Sequence, residues 1–202
     1  CFRSRFGLNP TPLQKSGIWI HAVSVGETRS IFPLLKELKL NYPELPITIT
    51  NSSLQGAIHS YQFCPITFQH QMLPLDYPGT IQRFLTQVQP KLVVMVETEI
   101  WPVLYQQCEK QNIPLVLVNG RLKDKSFKAY KKWGGRLITN ALNQTRWIAA
   151  QSEQDAENFL KLGVDKKQVK VLGNLKSDIQ IPADLDALVT QWQEHKQAQQ
   201  RP

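Results

Sequence analysis

The run Leu-Val-Val-Met-Val at residues 92–96 places the strongest limit on the fold of this chain. Continuous apolar strands of this kind are typical of parallel sheets that are covered by helices on both faces. Six further short runs alternate with helical patterns, at residues 18–23, 47–50, 66–73, 114–118, 147–150 and 169–172. About seven β-α repeats in chain order predict an α/β fold with a doubly wound parallel sheet.

The first predicted helix contains a proline. Ile31, Leu34, Leu35 and Leu38 recur at the spacing of one helix face. Pro33 fits that helix if Ser30 caps it and the proline lies in the first turn, whereas it would kink a helix that begins at Glu27.

The composition favours a globular protein with an anionic partner. The chain has 202 residues, 42% of them hydrophobic, which allows one substantial α/β domain or two small ones and excludes predominant disorder. A net charge of +8 indicates nucleic acid, a phosphorylated ligand or an acidic membrane surface. Cys1, Cys64 and Cys108 form no CxxC pair, so neither a zinc site nor a disulfide framework is predicted, and a reducing compartment fits.

The two ends indicate a piece of a longer protein. The chain begins at Cys1 without a methionine and ends in a polar segment. We expect a basic segment over 1–16, one domain over 17–181, and a linker over 182–202 toward a second domain. No apolar run approaches the roughly 20 residues that cross a bilayer.

Glutamates follow two of the predicted strands. Glu27 ends the sequence Ser-Val-Gly-Glu after the first strand, where we expect a tight glycine turn, and Glu97 and Glu99 follow residues 92–96. Ligands of open α/β sheets bind at the carboxyl ends of the strands, and a carboxylate there can act as a general base. The alternatives are that Glu27 only complements a helix dipole, and that Thr98 caps a helix whose first turn holds Glu99. The second alternative leaves Glu97 unexplained.

Polar residues follow other strands as well. The turn at 51–56 offers hydroxyl and amide groups to a sugar or phosphate, although a simple helix cap is the commoner explanation of such residues. Asn119 and Arg121 follow the strand at 114–118, and Lys176 follows the last strand. A single lysine is usually solvated at the surface, so composition alone gives little reason to assign it a function.

Residues 121–136 form a basic aromatic stretch with seven basic residues and one acid, Asp124. Phe127, Tyr130 and Trp133 recur every third residue. A helix there can lie against anionic lipid or bind phosphate groups, or it can direct its aromatic stripe into the core and leave a solvated basic face. No GxGxxG follows the first strand and no Walker loop is present, which argues against a dinucleotide oxidoreductase and a P-loop enzyme.

Five motifs together resemble the Kdo transferases of lipopolysaccharide synthesis, which transfer 3-deoxy-D-manno-octulosonic acid (Kdo) from CMP-Kdo to a lipid A precursor. The motifs are Ile-His-Ala-Val-Ser-Val-Gly-Glu (20–27), Glu-Thr-Glu-Ile-Trp-Pro (97–102), Asn-Gly-Arg-Leu (119–122), Ala-Ala-Gln-Ser-Glu-Gln-Asp (149–155) and Gly-Asn-Leu-Lys-Ser-Asp (173–178).

The resemblance implies one half of a GT-B enzyme. Such enzymes have two Rossmann-like domains, and this chain resembles the amino-terminal half, which binds the lipid acceptor. The missing half would bind CMP-Kdo, and a missing anchor would hold the protein at the cytoplasmic face of the inner membrane. The resemblance implies neither a metal nor another cofactor, and no nucleic-acid partner.

The resemblance also assigns roles to residues. Glu27 matches the proton acceptor, and Glu97 and Lys176 match positions that stabilise the transition state. Candidate acceptor-binding residues are Ser24, Gly26, Ser52, Ser53, Gly56, Glu99, Asn119 and Arg121. Candidates for holding the domain against anionic lipid or phosphate are Lys125, Lys128, Lys131, Lys132 and Arg136. Two rival hypotheses are a non-catalytic polyanion-binding module and another GT-B protein such as a nucleotide-sugar epimerase.

Overall fold

The computed structural model describes residues 3–8 and 12–175, which form a parallel sheet with helices on both faces. Its seven strands lie in the order β3-β2-β1-β4-β5-β6-β7, and every neighbouring pair is parallel. The strands are β1 (Ile18–His21), β2 (Ile47–Asn51), β3 (Gln69–Met72), β4 (Leu92–Val96), β5 (Leu115–Gly120), β6 (Trp147–Ala150) and β7 (Val169–Val171).

Eight α-helices connect these strands within the described part of the chain. They are α1 (Val25–Ser30), α2 (Phe32–Asn41), α3 (Leu54–Phe63), α4 (Pro78–Val88), α5 (Pro102–Lys110), α6 (Asp124–Ala129), α7 (Gly135–Asn143) and α8 (Glu153–Lys161). A π-helical turn over Tyr130–Gly134 joins α6 to α7, and short 3-10 turns cover Arg3–Phe6 and Lys166–Gln168.

Alternate residues of the central strands pack into different cores. Trp19, Val93 and Met95 face the helices α4 and α5, in a cluster that includes Phe84 and Tyr105. The intervening residues of the same strands, such as Ile18, Ile20, Val94 and Val96, pack with residues of α2 on the other face. This burial on both faces explains why the strands are continuously apolar. The predicted doubly wound parallel sheet is therefore confirmed.

The strand predictions differ from the structure mainly at the ends. Residues 18–23 form a strand only as far as His21, and residues 66–73 form one only over Gln69–Met72. β3 is one of the two edge strands of the described sheet, and Gln69 and His70 on it are only partly buried. A strand that packs incompletely leaves a weaker apolar pattern in the sequence, which explains the poorer prediction there.

The helix after β1 is two helices. α1 ends at Ser30 and α2 begins at Phe32, because Pro33 lacks the N–H that a continuous helix requires. The expectation that Pro33 lies in a first turn is confirmed. The expectation that Ser30 caps that helix is wrong, since its hydroxyl donates to the carbonyl oxygen of Glu27 at 2.7 Å and Ile31 occupies the cap position.

Several sequence expectations lie outside the described residues. They concern Lys176, the linker over 182–202, and parts of the segment over 1–16. Among the residues that are described, no helix is long and apolar enough to cross a bilayer.

Candidate functional site

The candidate site lies where the strand order of the sheet reverses. From β1, the chain proceeds through β2 to β3 in one direction, and from β4 through β5, β6 and β7 in the other. β1 and β4 are neighbours, with His21 level with Met95. The loops that leave their carboxyl ends therefore diverge and open a crevice, which is where open α/β sheets bind ligands. Glu27 follows one loop, and Glu97 and Glu99 lie on the other.

Glu27 is half-buried in the first turn of α1, and the backbone holds its carboxylate in place. Oε2 accepts a hydrogen bond from the Val23 N–H at 2.7 Å, and Oε1 accepts one from the Ser24 hydroxyl at 2.9 Å. Ser24 is also the N-cap of α1, so the two side chains form a reciprocal arrangement related to a capping box. The carboxylate complements the helix dipole, and a carboxylate oxygen can in general accept more than one hydrogen bond. The two readings of Glu27 are thus compatible.

The expected glycine turn before Glu27 is wrong. Gly26 is the second residue of α1 and does not have a positive φ. A Cβ at Gly26 would come no closer than 3.9 Å to the Ser24 hydroxyl, so the local packing does not require glycine there.

Residues after β2 fix the loop that precedes Glu27. The buried Asn51 amide donates to the Ala22 carbonyl at 2.6 Å and to the Thr28 hydroxyl at 3.0 Å. The Ser53 hydroxyl donates to the Val23 carbonyl at 2.7 Å while it caps α3. Gly56 allows this close approach, because a Cβ there would lie 2.9 Å from the Val23 carbonyl oxygen. Ser53 and Gly56 therefore position the loop, which favours the helix-cap alternative for this turn.

Glu97 adopts a left-handed conformation with φ of 59°. Its N–H donates to the Val118 carbonyl at 2.9 Å and continues the ladder between β4 and β5. This backbone conformation is unusual for a residue other than glycine, asparagine or aspartate, and such conformations concentrate at functional sites.

The alternative that Thr98 caps a helix is wrong. The Thr98 hydroxyl donates to the Arg121 carbonyl and ties the β4 loop to the β5 loop. The next helix, α5, begins only at Pro102. The Asp76 carboxylate accepts from the N–H groups of Val103 and Leu104, at 3.0 and 2.8 Å, and caps that helix from a distant loop.

Glu99, on the loop after β4, interacts electrostatically with Glu27, which follows the loop after β1. Burial, together with the negative charges of Glu27 and Glu97, raises the pKa of this carboxyl from 4.5 to about 7, while a hydrogen bond from the Trp101 indole opposes the shift. That indole Nε1 lies 3.1 Å from Glu99 Oε2. The Tyr105 hydroxyl donates to the Glu99 carbonyl at 2.8 Å and secures the backbone. The fold therefore gathers three carboxyl groups at the switch point, and Glu99 is partly protonated near neutral pH.

Asn119 and Arg121 are close in sequence, but Asn119 is buried and Arg121 is exposed. Asn119 is buried with φ of 56°, and its Oδ1 accepts from the Leu175 N–H at 3.1 Å, which draws the chain after β7 toward β5. Its Nδ2 has no hydrogen-bond partner among residues 3–8 and 12–175. The Arg121 side chain is exposed.

Arg5 and His21 belong to this edge of the sheet and were not predicted. Arg5 donates to the Ser52 carbonyl at 2.6 Å and to the Leu73 carbonyl at 3.3 Å, so a cation lies across the ends of β2 and β3. His21 is fully buried and its Nδ1 lies 2.9 Å from the Thr50 hydroxyl. Burial lowers the pKa of His21 to about 3, which keeps the ring neutral. The basic character of residues 1–16 was the only sequence signal for Arg5.

The basic aromatic stretch is not one helix. It comprises α6, the π-helical turn and the start of α7, where Gly135 has φ of 44°. Phe127 and Tyr130 pack against the core cluster around Leu117 and Phe159, which favours the core-facing alternative for those two aromatics. The side chain of Trp133 lies outside what the structure describes. The basic candidates are all exposed, namely Lys125, Lys128, Lys131, Lys132 and Arg136.

No group of three or more histidine, cysteine, aspartate or glutamate side chains suited to a metal ion occurs within the described ranges.

Solved structures of two UDP-N-acetylglucosamine 2-epimerases have a similar fold. The putative UDP-N-acetylglucosamine 2-epimerase of Listeria monocytogenes superposes with a TM-score of 0.58 at 16% identity, covering 80% of this chain and 45% of that chain. The UDP-GlcNAc 2-epimerase of Neisseria meningitidis gives 0.55 at 17% identity, covering 80% and 47%. Identities this low carry the fold alone. They confirm the expected Rossmann-like class, one half of a GT-B architecture.

Comparison of sequences identifies the family. The 3-deoxy-D-manno-octulosonic acid transferase of Haemophilus influenzae is 38% identical over 184 residues, which are 89% of this chain and 43% of that protein. The Bordetella pertussis enzyme of the same name is 30% identical over 86% of this chain and 40% of its own length. The chain thus spans less than half the length of these relatives. The sequence model of the family described as 3-deoxy-D-manno-octulosonic-acid transferase (kdotransferase) matches residues 1–179, and the chain belongs to this family of glycosyltransferases.

Proposed function

We propose that this chain is the acceptor-binding domain of an inverting transferase that moves Kdo from CMP-Kdo to a lipid A precursor. The observation that carries the proposal is the cluster of Glu27, Glu97 and Glu99 at the switch point of the sheet, shown by the effect of the first two charges on the pKa of Glu99. Perturbed carboxyl groups in a crevice are typical of catalytic sites. The second domain, outside this chain, would bind CMP-Kdo and close the crevice.

In the proposed reaction, Glu27 accepts the proton of an acceptor sugar hydroxyl. The deprotonating oxygen forms a bond to the anomeric carbon of Kdo while the bond from that carbon to the CMP phosphate breaks. Attack from the face opposite to CMP inverts the anomeric configuration. The hydrogen bonds from the Val23 N–H and the Ser24 hydroxyl keep the Glu27 carboxylate oriented, so little reorganisation is needed when the proton moves.

Glu97 and Lys176 are proposed to stabilise the transition state. Lys176 suits the negative charge of the Kdo carboxylate or of the departing CMP phosphate. A carboxylate such as Glu97 favours an oxocarbenium-like centre or orients the acceptor. The left-handed backbone of Glu97 supports a functional role, because such strain has to be maintained by the surrounding fold.

Glu99 has a separate proposed role at the acceptor. Three ionised carboxylates beside an anionic donor would repel it. With a pKa of about 7, Glu99 is partly protonated near neutral pH, which lowers that repulsion and supplies a hydrogen-bond donor to the acceptor sugar.

The basic residues of α6, the π-helical turn and α7 form a second part of the proposal. Lys125, Lys128, Lys131, Lys132 and Arg136 are exposed and would hold the domain against the anionic lipid of the inner membrane, at its cytoplasmic face. Neutralising all five should weaken binding to anionic vesicles, and the difference should shrink at high salt. Unchanged vesicle binding would show that these residues do not hold the domain at the membrane.

The rival hypothesis is a polyanion-binding module, which the net charge of +8 also supports. Three carboxyl groups at the carboxyl edge oppose it, because carboxylates that line a groove repel the phosphates of a polyanion. Steeply salt-dependent binding to arbitrary DNA that does not depend on Glu27 would favour the module.

The deciding experiment uses the full-length protein in detergent with CMP-Kdo and tetraacylated lipid A precursor, and measures the mass of the lipid. We expect a gain of one or more Kdo units with wild type, and a rate lower by about 10²–10⁴-fold with Glu27→Gln. Glutamine can still accept from the Val23 N–H and donate to the Ser24 hydroxyl, so this variant removes the base and preserves the cap.

Ser24→Ala separates the base from its support. It removes the N-cap, at a cost of about 1 kcal/mol in stability, and one of the two hydrogen bonds that orient the Glu27 carboxylate, but it keeps the carboxylate itself. Transfer should be slower in Ser24→Ala than in wild type and faster than in Glu27→Gln. Transfer that survives in Glu27→Gln would assign the base to another residue, and no transfer by folded wild type would reject the proposed reaction.

A further inference from the structure

Residues 45–75 contain no aspartate, glutamate, lysine or arginine. At the chain's average of 20% charged residues, these 31 positions would hold about six. The segment includes β2 and β3, which are in the sheet, but also the whole of α3, which lies on the outside. A surface helix of a globular protein normally carries charged residues on its outer face, so α3 departs from the usual pattern.

The outer face of α3 is apolar and exposed. Leu54, Ile58 and Tyr61 recur at i, i+4 and i+7 and therefore lie along one stripe, with 59%, 47% and 67% of their surface accessible. Most exposed apolar side chains of soluble proteins are scattered singly, whereas a continuous stripe indicates a contact surface.

The opposite face fixes the orientation of α3. Gly56, Ala57 and Ser60 are buried beneath it, and the Ser60 hydroxyl donates to Asn51 Oδ1 at 3.0 Å. The helix cannot rotate to hide the stripe without breaking this contact and the contact of Ser53 with the Val23 carbonyl. The apolar stripe is therefore a fixed outward surface of the folded domain.

Two cationic side chains, one on the amino-terminal 3-10 turn and one on α1, lie beside α3. Arg5 donates to the Ser52 carbonyl, two residues before the helix begins. Arg29 is exposed on α1, which packs against α3, and its charge lowers the pKa of His59 on α3, with burial as the larger cause. An apolar helix face with a cationic rim and no carboxylate of its own matches the interface of an anionic bilayer.

We propose that α3 lies in the interfacial layer of an anionic lipid bilayer, with Leu54, Ile58 and Tyr61 inserted among the acyl chains and Arg5 and Arg29 near the phosphates. This inference rests on the membrane location within the proposed function, and it names the surface that contacts the bilayer. Interfacial helices bury their apolar face by about 5–10 Å. Tyrosine, with an apolar ring and a polar tip, is favoured at that depth.

The position of α3 also relates the bilayer to the crevice. Its N-cap, Ser53, contacts the loop that carries Glu27 toward the site. The helix has 10 residues, so it extends about 15 Å from that loop. An amphiphilic acceptor whose acyl chains stay in the bilayer would present its sugar to the crevice across this short distance.

The test measures partition of this chain into vesicles of phosphatidylethanolamine and phosphatidylglycerol by flotation. The variant Leu54→Gln/Ile58→Gln replaces two of the three stripe residues by glutamine, a good helix former, and should weaken partition by at least about tenfold. The control Leu40→Gln/Leu160→Gln removes two leucines that are 77% and 37% exposed on α2 and α8, and should change partition by less than about twofold.

Amide hydrogen exchange in the presence of the same vesicles locates the contact. Slower exchange over residues 54–63 is expected for wild type and should be absent in Leu54→Gln/Ile58→Gln. Protection over 124–136 alone, or equal partition of the two double variants, would overturn the inference. A wild-type dimer in vesicle-free solution that dissociates in Leu54→Gln/Ile58→Gln, with unchanged partition, would show that a second copy covers α3 instead.

The outcome is separable from that of the proposed reaction. The partition measurement needs neither donor nor turnover, so it can fail while the full-length enzyme still transfers Kdo in detergent. Conversely, if the full-length enzyme transfers no Kdo but α3 still inserts into vesicles, the proposed reaction is rejected and the proposed membrane contact of α3 stands.

Discussion

Replacing Gly56 by alanine tests whether the loop before Glu27 is held by close packing against α3. An ideal Cβ at this position lies 2.9 Å from the Val23 carbonyl oxygen, 2.9 Å from the Ser53 hydroxyl and 3.1 Å from Asn51 Nδ2. The first of these is a backbone atom, which cannot move aside like the end of a flexible side chain. The added methyl group must therefore displace the loop, the helix or both.

Two opposing contributions set the magnitude for Gly56→Ala. Overpacking in a tight site costs about 1–3 kcal/mol, and the better helix propensity of alanine offsets about 1 kcal/mol. We expect the free energy of unfolding to fall by about 1 kcal/mol, which lowers the urea midpoint by roughly 0.5 M. The control is Gly79→Ala in the first turn of α4, where the nearest heavy atom to a new Cβ is the end of the Arg83 side chain at 3.6 Å.

Gly79→Ala gains helix propensity without a clash and should raise stability by about 0.5–1 kcal/mol. Urea unfolding of the two variants followed by circular dichroism measures the difference. In the full-length enzyme, Gly56→Ala should also slow transfer, since a shift of the Val23 carbonyl moves the backbone that positions Glu27. If Gly56→Ala is as stabilising as Gly79→Ala, the packing argument for this loop is wrong.

Three further predictions follow from the same structure. The pKa of Glu99 is raised in the folded state, so its contribution to stability is fully present below about pH 4.5 and is lost as the pH rises through about 7. Glu99→Gln should therefore be more stable than wild type above pH 7 and not in acid. A difference in urea midpoint between the two proteins that does not depend on pH would contradict this. Asn51→Ala should lower the free energy of unfolding by about 2–4 kcal/mol, because the side-chain amide forms hydrogen bonds with Ala22, Thr28, Ser60 and His70. Calorimetry measures the loss, and a value below about 1 kcal/mol would mean that other groups or water replace these hydrogen bonds. The chain of 202 residues alone should not turn over CMP-Kdo, since it spans less than half of its curated relatives, and release of CMP by the isolated chain would refute this.

The broad architecture was predictable because local sequence patterns record burial. Strands β4 and β6 were predicted to the residue from their apolar runs, since both faces of a parallel sheet are covered. The turn residues at the strand ends also identified the carboxyl edge on which Glu27, Glu97 and Glu99 lie. Where a single pattern permits two structures, prediction failed, as in the basic stretch that contains a π-helical turn and in the cap of α2, which is Ile31 instead of Ser30.

The candidate site could be predicted only in part. Each glutamate was identified from its own strand end, but its neighbours come from elsewhere in the chain. Asn51, which holds the loop after β1, follows β2, and Asp76, which caps α5, lies before α4. Contacts between residues so far apart in sequence leave no periodic signal, and a single sequence does not contain the pairing.

The sequence by itself determined the class of fold, the family, and which side chains stand at the carboxyl ends of the strands, because these properties depend on short patterns and on motifs. The tertiary structure decided that β1 lies beside β4, and so that Glu27 is close enough to Glu99 for its charge to help raise that carboxyl's pKa to about 7. It also decided that Gly56 meets Val23 and that α3 turns an uncharged face outward. The reason is physical, since desolvation, charge interaction and steric contact act through space between groups that only the packed chain brings together.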